Sequence, residues 1–299
     1  MMKKKSWLLC AILCFAYVFV IGCGFEQKTT DETALPASSP VQTEAREESA
    51  AETNSYIAAE EDFGNLRADS AEIPVYDRYT LAERRAKGFP TELPQIPPYR
   101  EKKTAYLTFD DGPENVNTPA ILDILQREKV KATFYVVGRA VQQYPQMAER
   151  IFREGHGIGN HSYDHDYGRL YASMSNYLEE MEETDSILHE LLGVRPLITR
   201  SPGGRNGNLT KGDMAVLAAN GYAEHDWNVT SADSAPNHPV AQDFIDNISE
   251  QAVMDSAIIL MHCSAGHEET VKALPEIIRV LRERGYSFGV VTPMTPQPW

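Results

Sequence analysis

The chain has 299 residues and a formal net charge of −15, with 28 Lys and Arg against 43 Asp and Glu. That length allows one large domain or two ordinary ones. The acidic balance argues against nucleic-acid binding, which rests on a dense basic face.

At the N-terminus Lys3, Lys4 and Lys5 precede an uncharged apolar run from Trp7 to Gly22. The run is short for a spanning helix and has the layout of a secretory signal. It ends on Val20-Ile21-Gly22-Cys23, which resembles the lipobox of bacterial lipoproteins. That likeness implies lipidation of Cys23, with an uncleaved anchor or an ordinary signal peptide as the alternatives. Each reading puts the rest of the chain outside the cytoplasmic membrane. Cys10 and Cys14 fall inside the signal, so Cys263 alone remains for the folded part and no internal disulfide framework is expected.

Gly24 to Asp62 is rich in Glu, Ala, Thr and Ser and lacks apolar surface, so a disordered acidic tether is expected. Residues 63–100 read as a lead-in packed on the domain edge: a short helix in TLAERRAKGF, then an extended PTELPQIPPY. The expected organisation is a signal over 1–23, tether and lead-in over 24–100, and one domain over 101–299.

From Thr104 short apolar runs alternate with amphipathic stretches. Strands are expected over Thr104–Phe109, Ala132–Val137, Gly157–Asn160, Leu197–Arg200, Tyr222–Val229, Ala257–His262 and Ser287–Val291. Helices are expected over Thr118–Glu128, Val141–Glu154, Asn176–Leu192, Lys211–Asn220, Ala241–Met254 and Thr270–Arg284. Ile121, Leu122 and Leu125 recur at helical spacing, as do Leu274, Ile277, Ile278 and Leu281. The alternation predicts a parallel sheet, and about seven units predict a distorted (β/α) barrel, an α/β fold.

Sites in such barrels gather where strands end. Asp110 and Asp111 follow the first strand, His161 and His165 the third, Arg200 the fourth, Asp226 and Asp233 the fifth, and His262 the sixth. His161 and His165, four apart, would share one face of a helical turn and grip one ion; an added carboxylate gives a His-His-Asp set typical of catalytic zinc. Two adjacent aspartates then serve different ends, one binding the cation and the other accepting a proton. The bland reading of Asp110-Asp111-Gly112-Pro113 is a simple turn.

Taken together, Thr108-Phe109-Asp110-Asp111-Gly112, His161-Ser162-x-x-His165, Arg200-x-Pro202-x-Gly204 and Leu260-x-His262 resemble the NodB homology domain of polysaccharide deacetylases, carbohydrate esterase family 4, over residues 103–293. The resemblance implies metal-dependent removal of acetyl groups from N-acetylated sugars. It implies Asp111, His161 and His165 as ligands of a divalent metal, usually zinc. It further implies Asp110 as general base, His262 as general acid and Arg200 as the residue holding Asp110. Leu260 would line the acetate pocket, and the Gly203 N–H would help hold the oxyanion. An aspartate partners the acid His in the family; spacing favours Asp233, while Asp226 beside Trp227 mimics the family dipeptide. Two positions depart from the pattern: Gly203 and Ser234 stand where aromatics wall the sugar groove, and Tyr167 or Tyr171 is the expected compensation. Cys263 and His267 are read as a buried residue and a loop residue rather than a second metal site, and Tyr163 and His238 as loop residues. The expected substrate is peptidoglycan N-acetylglucosamine, with exopolysaccharide, chitin oligomers, O-acetyl xylan or non-catalytic glycan binding as alternatives.

Overall fold

The structure, a computed structural model, describes residues 56–66, 71–95, 97–98 and 103–298. The signal segment, Cys23 and most of the expected tether lie outside the described residues. In chain order the elements are β1 (Ile57–Ala59), β2 (Val75–Asp77), α1 (Leu81–Lys87), β3 (Thr104–Gly112), α2 (Asn117–Glu128), β4 (Thr133–Val136), α3 (Gly138–Gln143), α4 (Pro145–Arg153) and β5 (Gly157–Asn160). There follow α5 (Tyr167–Leu170), α6 (Met174–Leu192), β6 (Arg195–Pro196), β7 (Ile198–Thr199), α7 (Lys211–Ala219), β8 (Ala223–Glu224), β9 (Val229–Thr230), α8 (Ala241–Gln251), β10 (Ser256–His262), α9 (Glu268–Glu283) and β11 (Ser287–Gly289).

The main sheet has the order β8-β7-β5-β4-β3-β10-β9, with β11 added to β3, and its strand pairs are parallel. A residue-to-residue alternation splits each central strand. Ala105, Leu107 and Phe109 of β3, with Ala257, Ile259 and Met261 of β10, join Leu122, Leu125, Leu274 and Ile278 in the helix-facing core. Tyr106 and Ile258 pack with Tyr135, Ile198 and Val291 on the other side, and Thr108 and Asp110 share their parity. The polar residues therefore reach the barrel interior as a direct result of strand period.

Three features distort the barrel. β11 takes the edge of β3 at Thr104–Tyr106, and β4 takes over from Thr108. The strand expected over Tyr222–Val229 is instead β8 and β9, which stand at opposite ends of the sheet order. Only a few residues join them, so the two ends must face each other across a seam. The helix expected over Val141–Glu154 is broken into α3 and α4, because Pro145 lacks the amide that would continue it.

The tether also ends earlier than expected. β1 lies within residues assigned to it and pairs with β2, which pairs antiparallel with β6. The lead-in helix forms as α1, capped by Thr80, whose hydroxyl accepts from the Glu83 amide. Its Arg84 is buried and binds Asp77 through Nε at 2.5 Å, and Arg195 Nη2 donates to the same carboxylate at 3.0 Å. Arg195 reaches Asp185 at 3.4 Å, and Asp185 accepts from Asn160 Nδ2 at 2.7 Å. Burial pushes Asp185 up to about 6 against these partners. Asn160 Oδ1 then accepts from the Ser162 amide at 3.1 Å, so a polar chain runs from the lead-in to the loop after β5.

Candidate active site

β3 and β10 are paired in register, with His262 opposite Asp110 and Leu260 opposite Thr108. Asp110 is 2% exposed and is fixed by Arg200, whose Nη1 donates to Asp110 Oδ1 at 2.9 Å and to Thr108 Oγ1 at 2.7 Å. Arg200 also donates to the carbonyls of His225 and Asp226, and its guanidinium lies 4.2 Å above the Tyr135 ring. Burial opposes the Arg200 charge, but Asp110 outweighs it and raises the guanidinium pKa. The second oxygen of Asp110 points toward His161 Nε2, 3.8 Å away.

Asp111 turns the other way, with φ of 69°. Its Oδ1 is buried without a well-aligned hydrogen bond. His161 Nε2 stands 3.4 Å from that oxygen and His165 Nε2 3.2 Å. The two histidines do not sit on a helical turn, as their spacing predicted. They lie in the loop after β5, and Ser162 at φ 68° and His165 at φ 60° bend the chain so that both rings converge. Left-handed backbone at such residues costs about 1–3 kcal/mol each and is found where a site over-determines it.

Whether this group suits a cation follows from one hydrogen bond. His161 Nδ1 lies 2.7 Å from the Arg200 carbonyl, which only accepts, so Nδ1 carries a proton and Nε2 is the nitrogen left to face Asp111. Burial opposes the ring's charge, but Asp110 and Asp111 outweigh it, so a cation binding here would take the place of the Nε2 proton. Two imidazole nitrogens and an orphaned carboxylate oxygen then face one another, within 4.8 Å. A borderline divalent cation accepts that N,N,O set and leaves positions open. Burial opposes the Asp111 charge, yet His161, with smaller help from His262 and His165, holds its carboxyl well below the usual range.

His262 closes the other side. Its Nδ1 donates to Asp233 Oδ1 at 2.8 Å. Asp233 Oδ2 accepts from the His262 amide at 2.7 Å and from Thr270 Oγ1 at 2.8 Å. Burial disfavours the imidazolium, but the bond to Asp233 and its charge prevail and raise His262 to about 9. Asp226 lies elsewhere, accepting from the Arg205 amide at 3.2 Å. Leu260, two residues before His262, is half-buried on the same side of β10.

Gly203 has φ of 72°, and a Cβ there would stand 2.8 Å from the Tyr167 hydroxyl. Tyr167 thus covers this loop, with half its surface exposed and its ring edge-on to His165 at 5.3 Å. Tyr171 ties the same loop by donating to the Pro202 carbonyl at 2.7 Å. Gly112 is forced by packing: a Cβ would meet the buried Cys263 Sγ at 2.4 Å.

The sequence does not mark two residues of this region as part of the site: Tyr135 draws no notice there, and His267 reads as a loop residue rather than a metal ligand. Tyr135, beneath Arg200, looks like any apolar strand residue. His267 sits in a polar loop, yet its ring stacks on His262 at 5.0 Å, and Ser234 Oγ lies 2.9 Å from His262 Nδ1 and 3.1 Å from His267 Nε2. No spacing signal announces either contact. His238 remains an exposed loop residue, and Tyr163 Oη bonds Gln142 at the surface.

Residues 98–224 match the polysaccharide deacetylase family model. A peptidoglycan-N-acetylglucosamine deacetylase of Bacillus cereus is 34% identical over 193 residues, covering 63% of this chain and 69% of the relative. Among solved structures, the catalytic domain of peptidoglycan N-acetylglucosamine deacetylase from Eubacterium rectale superposes with a TM-score of 0.62 at 28% identity, covering 68% of this chain and 95% of that one. A Streptococcus mutans CE4 esterase gives 0.60 at 32% identity, covering 64% and 86%. The family model stops before Asp233 and His262, whose pairing rests on their 2.8 Å hydrogen bond. On a shared fold, and with a relative matched across more than two thirds of its length, the chain belongs to the polysaccharide deacetylase family.

Proposed function

We propose that this hydrolase removes acetyl groups from N-acetylglucosamine of peptidoglycan, using zinc held by Asp111, His161 and His165. The observation that carries the metal is the buried Asp111 Oδ1, which lacks a hydrogen bond and faces two imidazole nitrogens. When bound, such a cation supplies Lewis acidity toward the acetyl carbonyl and a nucleophilic water near neutral pH.

The chain's own residues supply the rest. Asp110, held by Arg200, whose guanidinium Thr108 helps to fix, takes the proton of the attacking water with the oxygen that Arg200 leaves free. His262 is protonated at neutral pH because its pKa stands at about 9. Its Nδ1 is committed to Asp233, so Nε2 gives its proton to the departing sugar nitrogen. The acetate leaves and the sugar keeps a free amine. The Gly203 amide is the proposed oxyanion donor, and Leu260 receives the acetyl methyl. Tyr167, exposed beside His165, is the proposed wall for a sugar face, in the space that Gly203 vacates.

The peptidoglycan substrate is supported by what the relatives of similar sequence are named to act on. A lipid anchor at Cys23, outside the cytoplasmic membrane, is supported by the N-terminal sequence and suits an enzyme that works on wall polymer. Acetate release is the test, measured on purified peptidoglycan, chitin oligomers and acetylated xylan, with chelator and with zinc returned. Release from peptidoglycan that chelation stops and zinc restores is expected. Release only from another glycan overturns the substrate, and release indifferent to chelator overturns the metal.

A further inference from the structure

We propose that Asp233, His262 and His267 form a second, weaker site for a borderline divalent cation such as zinc, and that filling it switches the enzyme off. One donor atom from each residue lies within 4.8 Å of the others; His262 and His267 are partly buried, while the Asp233 side chain is 2% exposed. The loop after β10 brings His267 back over His262, with the rings 23° from parallel. His267 Nδ1 lies 3.2 Å from the Ser264 carbonyl, which only accepts, and 3.2 Å from the Ser264 hydroxyl, which can accept as well. Those contacts put the proton on Nδ1 and leave the Nε2 lone pair facing the Ser234 hydroxyl, which itself lies 2.9 Å from His262 Nδ1.

Two nitrogens and one carboxylate oxygen favour zinc, cobalt or nickel over magnesium or calcium. At present a proton occupies the bridge between His262 Nδ1 and Asp233 Oδ1. The cation replaces it, the proton passes to solvent, and the uncharged Ser234 hydroxyl gives way or adds an oxygen. Because the cation must displace that proton and open a 2.8 Å contact, it binds more weakly than at the Asp111 group. The inhibitory half of the proposal rests on His262 being the acid. The binding half does not.

Equilibrium dialysis of the full chain against buffered free zinc, with bound metal counted, separates the two halves. Wild type should take two ions in steps, His267→Phe one, and His165→Ala one, that being the weaker. Magnesium should not compete at the second step. Free zinc at ten times the second dissociation constant should leave about one-eleventh of wild-type acetate release by mass action, while His267→Phe keeps its basal rate and loses this inhibition. His267→Gln, polar but a poor ligand, should repeat the result and guards against a packing effect of Phe. Saturation of wild type at one ion, or two ions on either His267 variant, overturns the site. Two ions with no inhibition retains the site and overturns its link to His262.

Discussion

The mouth of the barrel holds two groups of one aspartate and two histidines, and they are finished in opposite ways. Around Asp111 the carboxylate oxygen lacks a hydrogen bond and both imidazoles offer Nε2 to it. Around Asp233 the carboxylate is saturated, by the His262 amide, His262 Nδ1 and Thr270. The same residue types therefore make a ready place for a cation in one case and, in the other, a place that a proton fills first and a cation must take from it. What decides is the hydrogen bonding behind the donors: a buried orphan oxygen costs about 1–3 kcal/mol until something positive meets it.

Removing a ligand from the first group should have the largest effect. His161→Ala should abolish acetate release together with the tighter bound zinc; metal retained at wild-type stoichiometry and affinity in that variant would erase the distinction between the groups. Next is Arg200→Met, which strands the buried Asp110 carboxylate; about 3–5 kcal/mol of stability should be lost, read from urea unfolding. Asp233→Asn acts on the proton site and should lower turnover by about 10²–10⁴-fold. It removes what raises His262, so the acid loses its proton sooner and the alkaline limb of kcat/KM should move to lower pH. An unmoved limb would show that another group donates the proton. Smallest is Tyr167→Ala, expected to raise KM on glycan chains several-fold while kcat holds, since the ring touches neither catalytic carboxylate.

Much of this was legible beforehand because strand period and strand ends are written locally. The alternation in Thr104–Phe109 gives both the helix-facing core and the inward Asp110, and the parallel order follows from strands alternating with helices. The convergence of His161 and His165 was anticipated, but on the wrong backbone. Positive φ at Ser162 and His165 depends on tertiary contacts that a four-residue spacing does not record. The split of Tyr222–Val229 was hidden for a similar reason: whether an extended stretch stays on one neighbour or crosses a seam depends on closure of the whole sheet. His267 reaches His262 through a loop whose course no local pattern encodes.

The ion pairs between the lead-in and β6 bear on where the gene can be cut. The family match begins at residue 98, an inviting start for recombinant expression, but Asp77 and Arg84 lie before it. A fragment starting there would leave buried Arg195 with Asp185 as its remaining carboxylate partner and would uncover the surface that Tyr76 and Phe63 shield. Poor yield from such a truncation would then reflect the cloning boundary, and a start upstream of Tyr56 should recover soluble protein.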